Sequence, residues 1–305
     1  MTELVTERNL AEYVISQYTG TQGDNALYYH DSTLANGAGD NSYRYAGASE
    51  SVNNFVCFGS DAATCPTDNL YRIIGVIDGK VKLIKYDYAT SSLLGTDGDY
   101  SGSDTPDTNY YKGSLSSIDQ YYWNEATGTN TWSESNLNKI NLNTNFINNI
   151  GSTWTNKITT TTWKVGGNTY DNIADSVPPD AYQNEIVRPS ENTTYDAKIG
   201  LMYASDYGFA ASPSAWTKTL FKYNGNDANG TSIITINWMY MGYSEWTISP
   251  YSSGKYLVFV LNRDGSVYDI NAKNGSGSRP VMYLKTSVLY AGGLGTKDSP
   301  ITLVV

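Results

Sequence analysis

The sequence predicts an α+β protein built on an irregular antiparallel sheet. Helical periodicity is concentrated in the first half of the chain, whereas the second half reads as short strands and long loops. The strongest local signal is a hairpin, in which two β-branched runs flank Asp78-Gly79 within residues 70–89. The 305 residues show neither an internal repeat nor a clear linker. The chain therefore divides into an N-terminal helix within residues 1–23 and one domain over 24–305.

Along the chain, residues 6–18 place Leu10, Tyr13, Val14 and Gln17 at helical spacing, with Gly20 and Gly23 as stops. Residues 24–56 lack a helical period and read as short strands and loops. The second arm of the hairpin sets Val81, Leu83 and Ile84 against Lys80, Lys82 and Lys85, which predicts an apolar face and a lysine face. Residues 95–112 are polar and carry Asp97, Asp99, Asp104 and Asp107. The fixed 12-residue EF-hand spacing with its terminal Glu is missing, so a solvated loop is expected and neither a metal nor a cofactor is assigned.

Two helices are expected next. Residues 114–124 put Leu115, Ile118 and Tyr122 on one face. Residues 133–151 turn Leu137, Ile140, Phe146, Ile147 and Ile150 inward, with Gly151 as C-cap. A Thr-rich strand, Gly166-Gly167 and a Pro178-Pro179 break lead to residues 196–210. These read as a buried strand running into a helix start, with Ser205 or Asp206 as N-cap. After a Gly/Asn loop at 222–232, strands are expected around 256–262, 266–270 and 279–285, with Asp264-Gly265 turning between the first two. The tail ends in a short apolar strand.

Composition narrows the function. Net charge is −10 and the 20 Lys and Arg are dispersed, so a nucleic-acid partner is not expected. No apolar run approaches the roughly 18 residues of a membrane span, and no basic segment followed by an apolar core marks a signal peptide. The opening MTELVTERNL reads as a truncated start, with any export signal or anchor upstream. Tyr occurs 27 times, and its broad apolar face and polar tip suit both contact surfaces and half-buried strand packing. Cys57 and Cys65 bracket a turn-rich loop. A disulfide is favoured over two free thiols, and a metal site is poor because the only His is His30.

Enzymatic signatures are weak. His30 reads as a surface or packing residue. No G-x-S-x-G elbow occurs, and GAGDNS at 37–42 precedes no helical pattern. Glu185 with Glu191, or Asp87 with Asp99, are carboxylate pairs of a kind used in glycoside chemistry, but nothing in the sequence fixes their separation. The segment 237–284 is more informative. It is core-like at its ends, with Trp246 and Ile248 before and Val281, Met282 and Leu284 after, and rich in Tyr, Ser, Asn and Gly between. Fixed ends around an adaptable middle are how a scaffold carries binding loops; an ordinary surface meander is the alternative. Arg279, between Ser278 and Pro280, is expected to pin loop carbonyls or a carboxylate such as Glu245.

These residues also carry a resemblance. MYMGYSEWTISPYS followed by GSRPVMYL is similar to the C-terminal half of bacterial C-type-lectin-like domains of the formylglycine-generating type. Met241, Gly242, Glu245 and Trp246 match a first motif; Gly277, Arg279 and Pro280 match a second, with Ser278 where an apolar residue is usual. With CFGS, LYRIIGV, YYWN and IGLMYASDYGFA, roughly residues 10–305 resemble a domain family of exported or pilin-like proteins common in gut Gram-positive bacteria. The resemblance implies a C-type-lectin-like fold with residues 245–284 as the ligand-binding segment. Glu245, Trp246, Arg279 and Pro280 would be structural. Some relatives are variable proteins of diversity-generating retroelements, whose surface codons are exchanged on a fixed scaffold. If that applies here, composition and position within the segment make the contact candidates Tyr251, Ser252, Ser253, Tyr256, Phe259, Leu261, Asn262, Ser266, Tyr268, Asn271, Asn274 and Ser276. The family's oxidase activity needs a late cysteine pair that is missing here, and the sugar triplets of calcium lectins are also missing.

The expectation is an extracellular or cell-surface, non-enzymatic binding domain of adhesin or receptor type, with a protein or surface glycan as ligand. A structural subunit of a pilus or surface fibre is the alternative, and a carbohydrate-active enzyme a more distant one.

Overall fold

Asp78 and Gly79 adopt φ of 50° and 70° in the computed structural model of the protein, the left-handed pair that a two-residue hairpin turn demands. The structure describes residues 8–96, 111–124 and 129–305. The turn joins strands Leu70–Ile77 and Lys80–Lys85, the centre of a seven-stranded antiparallel sheet. Strands Leu27–His30 and Ser42–Tyr45 extend it on one side, with Phe55–Cys57 pairing beside Ser42–Tyr45 on the same edge of Leu70–Ile77. Val281–Tyr283 and then Ile199–Gly200 extend it on the other. The chain is thus mixed α+β on an open, irregular antiparallel sheet with long loops, as expected.

The lysine face of the hairpin is a different matter. Lys82 and Lys85 are 1% and 0% exposed. Later segments bring Trp163, Tyr203 and Tyr283 over Lys82, so both faces of this strand are covered and a clean alternation no longer reports solvent.

Helix Leu10–Ile15 lies on the central hairpin, burying Leu10, Ala11 and Val14; Asn9 caps it by accepting the Glu12 N–H at 2.8 Å. The helix expected over 114–124 is instead a hairpin of Tyr111–Leu115 and Ile118–Tyr121. Ser116 and Ser117 take φ of 54° and 65° and reverse the chain, which leaves Leu115 exposed rather than on a helical apolar face. The helix expected over 133–151 forms as a π-helix Leu137–Phe146 continuing into Ile147–Ile150, and Gly151 ends it at φ 80°. Leu137, Leu142, Phe146 and Ile150 are buried, whereas Ile140 and Ile147 are half-buried. Asn138 and Asn141 are buried too, donating to the carbonyls of Trp132 and Leu94 at 2.9 and 2.8 Å.

A second sheet comprises Glu245–Pro250, Leu257–Leu261 and Val267–Asn271, all antiparallel. Gly265 supplies its turn at φ 96°, and Asp264 accepts the Ser266 N–H at 3.0 Å. The third predicted strand, Val281–Tyr283, does not continue this sheet but crosses to the main one. The helix at Ala204–Ala210 starts after Tyr203, not at Ser205 or Asp206. Asp206 sits in its first turn and accepts the Tyr203 N–H at 2.9 Å.

All seven Trp are buried, and several act as pegs between segments. Trp246 Nε1 donates to Tyr121 O at 2.7 Å, Trp123 Nε1 to Thr247 O at 2.9 Å and Trp238 Nε1 to Tyr45 O at 2.8 Å. Cys57 and Cys65 form a disulfide with Cα atoms 5.8 Å apart. Among the described residues no helix is long and apolar enough to cross a membrane. Asp97, Asp99, Asp104 and Asp107 lie outside the described residues. Within the described ones no group of three or more His, Cys, Asp or Glu is placed to hold a metal.

Candidate functional site

One buried ion pair ties the start of the segment 245–284 to a point near its end. Glu245 and Arg279 are 0% and 1% exposed, and Arg279 Nε donates to Glu245 Oε1 at 2.7 Å. The guanidinium also donates to Met239 O at 2.7 Å and Tyr86 O at 3.4 Å. Burial pushes the Glu245 carboxyl up while Arg279 draws it back down. Trp246 and Pro280 are buried beside this pair. Together they anchor both sides of the segment in the core.

The intervening residues divide by exposure. Ser252, Ser253, Tyr256, Tyr268 and Asn274 are exposed, and Tyr251, Asn262 and Asn271 are half-buried. Phe259, Leu261, Ser266 and Ser276 are not surface residues: they are 0%, 0%, 2% and 0% exposed. Leu257–Leu261 is the middle strand of its sheet and is buried on both faces from Val258 onward, so alternation along it marks no contact surface. Ser276 is held in an antiparallel bridge with Tyr121, and Ser266 is tied to Asp264 within the turn.

The loop 251–256 is rigidly mounted. Asn130 Nδ2 donates to the carbonyls of Tyr251, Gly254 and Leu257 at 2.6, 3.1 and 2.7 Å, and Lys255 O accepts the Asn130 N–H at 2.6 Å. On its other side Ser252 N–H donates to Asn168 O at 2.9 Å. Gly167 is required beside it, since a Cβ there would sit 3.0 Å from Ser252 Cα. Between these supports lies a cleft of about 220 Å³, lined by Trp132, Glu191, Thr193, Tyr251, Ser252 and Lys255 among others. Trp132 Nε1 is buried without a hydrogen-bond partner. Nearby on the same sheet, exposed Tyr268 packs with Phe221 and Tyr170 at ring separations of 6.4 and 6.0 Å.

A second cavity, about 390 Å³, was not legible as a site in the sequence. Its floor is a buried charge cluster: Lys82 Nζ lies 2.5 Å from Asp206 Oδ2, and Arg44 Nη1 lies 3.7 Å from Asp206 Oδ1. Arg44 Nη2 also pairs with Asp40 Oδ2 at 2.7 Å. Trp163, Tyr182, Tyr203 and Tyr283 wall it. Burial lowers the Lys82 pKa, opposed by the Asp206 carboxylate. Burial also raises that of Glu185, although the Ala204 and Ser205 N–H groups and the Ser249 hydroxyl donate to its carboxylate. Glu185 is therefore a buried fastener of the helix at 204–210, while Glu191 is exposed on the cleft and accepts the Gly167 N–H at 3.0 Å. Only the burial of a Lys and an Arg within apolar strand runs hints at this cavity, and burial is not visible from spacing.

His30 is a packing residue: it is 0% exposed, its Nδ1 accepts the Ala38 N–H at 3.0 Å, and its ring meets Phe209 and Trp216. Burial, with Arg44 close by, pushes its pKa down to about 3.

A family model described as a domain of unknown function, DUF6273, matches residues 78–286, more than half of the chain. The chain belongs to the DUF6273 family. No curated protein and no solved structure matches it. The DUF6273 span takes in Lys82, Asp206, the cleft, and both Glu245 and Arg279. Arg44 and the disulfide lie before it, so the cavity floor of this DUF6273 protein is completed by a residue from outside the matched span.

Proposed function

We propose that this DUF6273 protein is an extracellular, non-enzymatic binding domain of adhesin or receptor type, and that its ligand is a surface glycan held in the cleft beside Tyr251. The carrying observation is the clamped loop. Three carbonyl contacts from the Asn130 amide, to Tyr251, Gly254 and Leu257, hold the loop that carries Tyr251, Ser252 and Lys255 over a cleft with an aromatic wall, hydroxyls, one carboxylate and one ammonium. Such a mixture suits a ligand that offers a flat apolar ring face and a fringe of hydroxyls. Preorganisation of the loop spares the ligand the entropy of ordering it. The Cys57–Cys65 disulfide supports an oxidising compartment, and the residues 237–284 retain the C-type-lectin-like resemblance that first suggested this face.

The test is a glycan array probed with the intact domain, followed by titration of the best hit. Lys255→Ala should weaken that titration about tenfold or more with an unchanged melting temperature, and Tyr251→Ala should do so in a protein that still unfolds cooperatively, at a melting temperature lowered only by the lost packing on Phe259. Full retention of binding in both variants places the glycan elsewhere, and an array with no hit above background refutes the glycan reading.

A further inference from the structure

The larger cavity is built for something other than a neutral sugar chain. Two carboxylates line it: Asp78 is exposed at the mouth, and Asp206 on the floor is already engaged, its Oδ2 taking Lys82 and the Tyr203 N–H while Oδ1 faces Arg44. Around Lys82 on that floor the remaining charged capacity is donor. Lys82 Nζ carries three N–H bonds, and one protein oxygen accepts from it. The Tyr203 hydroxyl accepts the Lys164 N–H at 2.8 Å, which leaves its own proton to donate. The Tyr283 hydroxyl, on the same wall, has no hydrogen bond to a described residue. Lys80 and Lys164 stand at the rim with Asp78, and the four cationic side chains Arg44, Lys80, Lys82 and Lys164 outnumber the two carboxylates Asp78 and Asp206 within a protein of net charge −10. The Lys82 ammonium is meanwhile surrounded by rings: the centroids of Tyr203, Tyr283 and Trp163 lie 4.9, 5.4 and 5.9 Å away.

The geometry points to a second ligand site here, for a small organic carboxylate carried on a ring. Unsatisfied donors around a buried ammonium call for an anionic acceptor, because charge-assisted hydrogen bonds are stronger than neutral ones. The aromatic walls call for a body with faces rather than for an ion alone, and about 390 Å³ admits a single ring with its substituents. A planar carboxylate on Lys82 and the Tyr283 hydroxyl would put that ring between Trp163 and the tyrosines. An aryl acid and a sugar acid share this chemistry. The site is separate from the cleft at Tyr251, and it stands or falls independently of the glycan reading.

The experiment is titration of the isotope-labelled intact domain with benzoate and with glucuronate, followed by amide shifts. Benzamide, glucose and inorganic phosphate serve as comparison probes. At least one carboxylate should saturate a set of shifts centred on residues 82, 163, 203 and 283, while the neutral partner of that carboxylate binds at least tenfold more weakly. Tyr283→Phe, which removes one hydroxyl from a wall, should weaken binding several-fold. Lys82→Met should abolish it, and Tyr251→Ala should leave it unchanged. If Lys82→Met does not fold, Tyr283→Phe and the rim variant Lys80→Ala decide. The proposal is overturned if neither carboxylate shifts these residues, if the neutral analogue binds equally well, if phosphate alone binds as tightly, or if Tyr283→Phe and Lys80→Ala both bind as wild type.

Discussion

Arg279 and Glu245, 34 positions apart in sequence, share a 2.7 Å hydrogen bond in a place neither could occupy alone. The guanidinium satisfies two backbone carbonyls besides the carboxylate, so the pair closes the segment 245–279 like a clasp. Removing one partner leaves the other charged, buried and unpaired. Arg279→Met is therefore expected to destabilise the protein by about 3–5 kcal/mol, measured by urea denaturation. The double variant Arg279→Met with Glu245→Gln should recover part of that loss. No recovery would mean that the carbonyl contacts, rather than the ion pair, dominate.

His30 should give the protein an acid-sensitive component. Its pKa falls from an ordinary 6.5 in the unfolded chain to about 3 in the fold, because burial and Arg44 disfavour the imidazolium. Between those values the unfolded chain binds more protons. The stability this residue contributes is thus complete above pH 6.5 and declines as pH falls towards 3, at up to about 1.4 kcal/mol per pH unit. Burial raises the pKa values of Glu185 and Glu245, an opposite trend, so the measurement is a difference. Melting temperatures of wild type and His30→Asn should converge as pH falls from 7 to 4. A constant gap across that range would show that His30 does not titrate between the two states as described.

The Cys57–Cys65 disulfide closes a short loop, with a sequence separation of 8. Loop-closure entropy for so short a ring is worth about 2.5 kcal/mol. Thiol titration of the denatured, unreduced protein should find no free thiol. Cys57→Ala with Cys65→Ala should lower stability by roughly that 2.5 kcal/mol. A doubly substituted protein as stable as the wild type would make the bond dispensable to the fold.

The buried positions sharpen a genetic test. If codons for 245–284 are exchanged by a retroelement, flanking DNA should hold a reverse transcriptase gene and a near-copy of these codons differing at adenines. The differences should fall on Tyr251, Ser252, Ser253, Tyr256, Tyr268 and Asn274, and spare Phe259 and Leu261. Those two are 0% exposed, and a polar replacement of either would cost several kcal/mol in the core. Adenine differences concentrated at Phe259 and Leu261 would contradict this account.

Local rules carried much of the fold. Asp78-Gly79 announced the central hairpin, Asp264-Gly265 the second, and Gly151 the end of the long helix, because each reports a backbone need rather than an environment. What stayed hidden depends on distant segments. Ser116 and Ser117 took left-handed φ against their usual preference, and the hairpin they make is bonded through Tyr121 to Ser276. Lys82 looked solvent-facing until Trp163, Tyr203 and Tyr283 arrived from more than 80 residues away. The pairing of Glu245 with Arg279 was legible because an Arg between Ser and Pro in an apolar run has few other uses. The 390 Å³ cavity was not, because no spacing rule links residues 44, 82 and 206.

The strand Val281–Tyr283 lies between Lys80–Lys85 and Ile199–Gly200 in the main sheet. A chain emerging residue by residue from the ribosome therefore makes its central hairpin early and then waits about 200 residues for the neighbour that shields it. Throughout that interval the Lys80–Lys85 strand offers a bare row of amide and carbonyl groups, open to pairing with another nascent copy. Lys82 and Lys85 lie in that very strand, and charged side chains on an unpaired edge oppose such pairing. The same two lysines that look out of place in the finished sheet are well placed during its assembly.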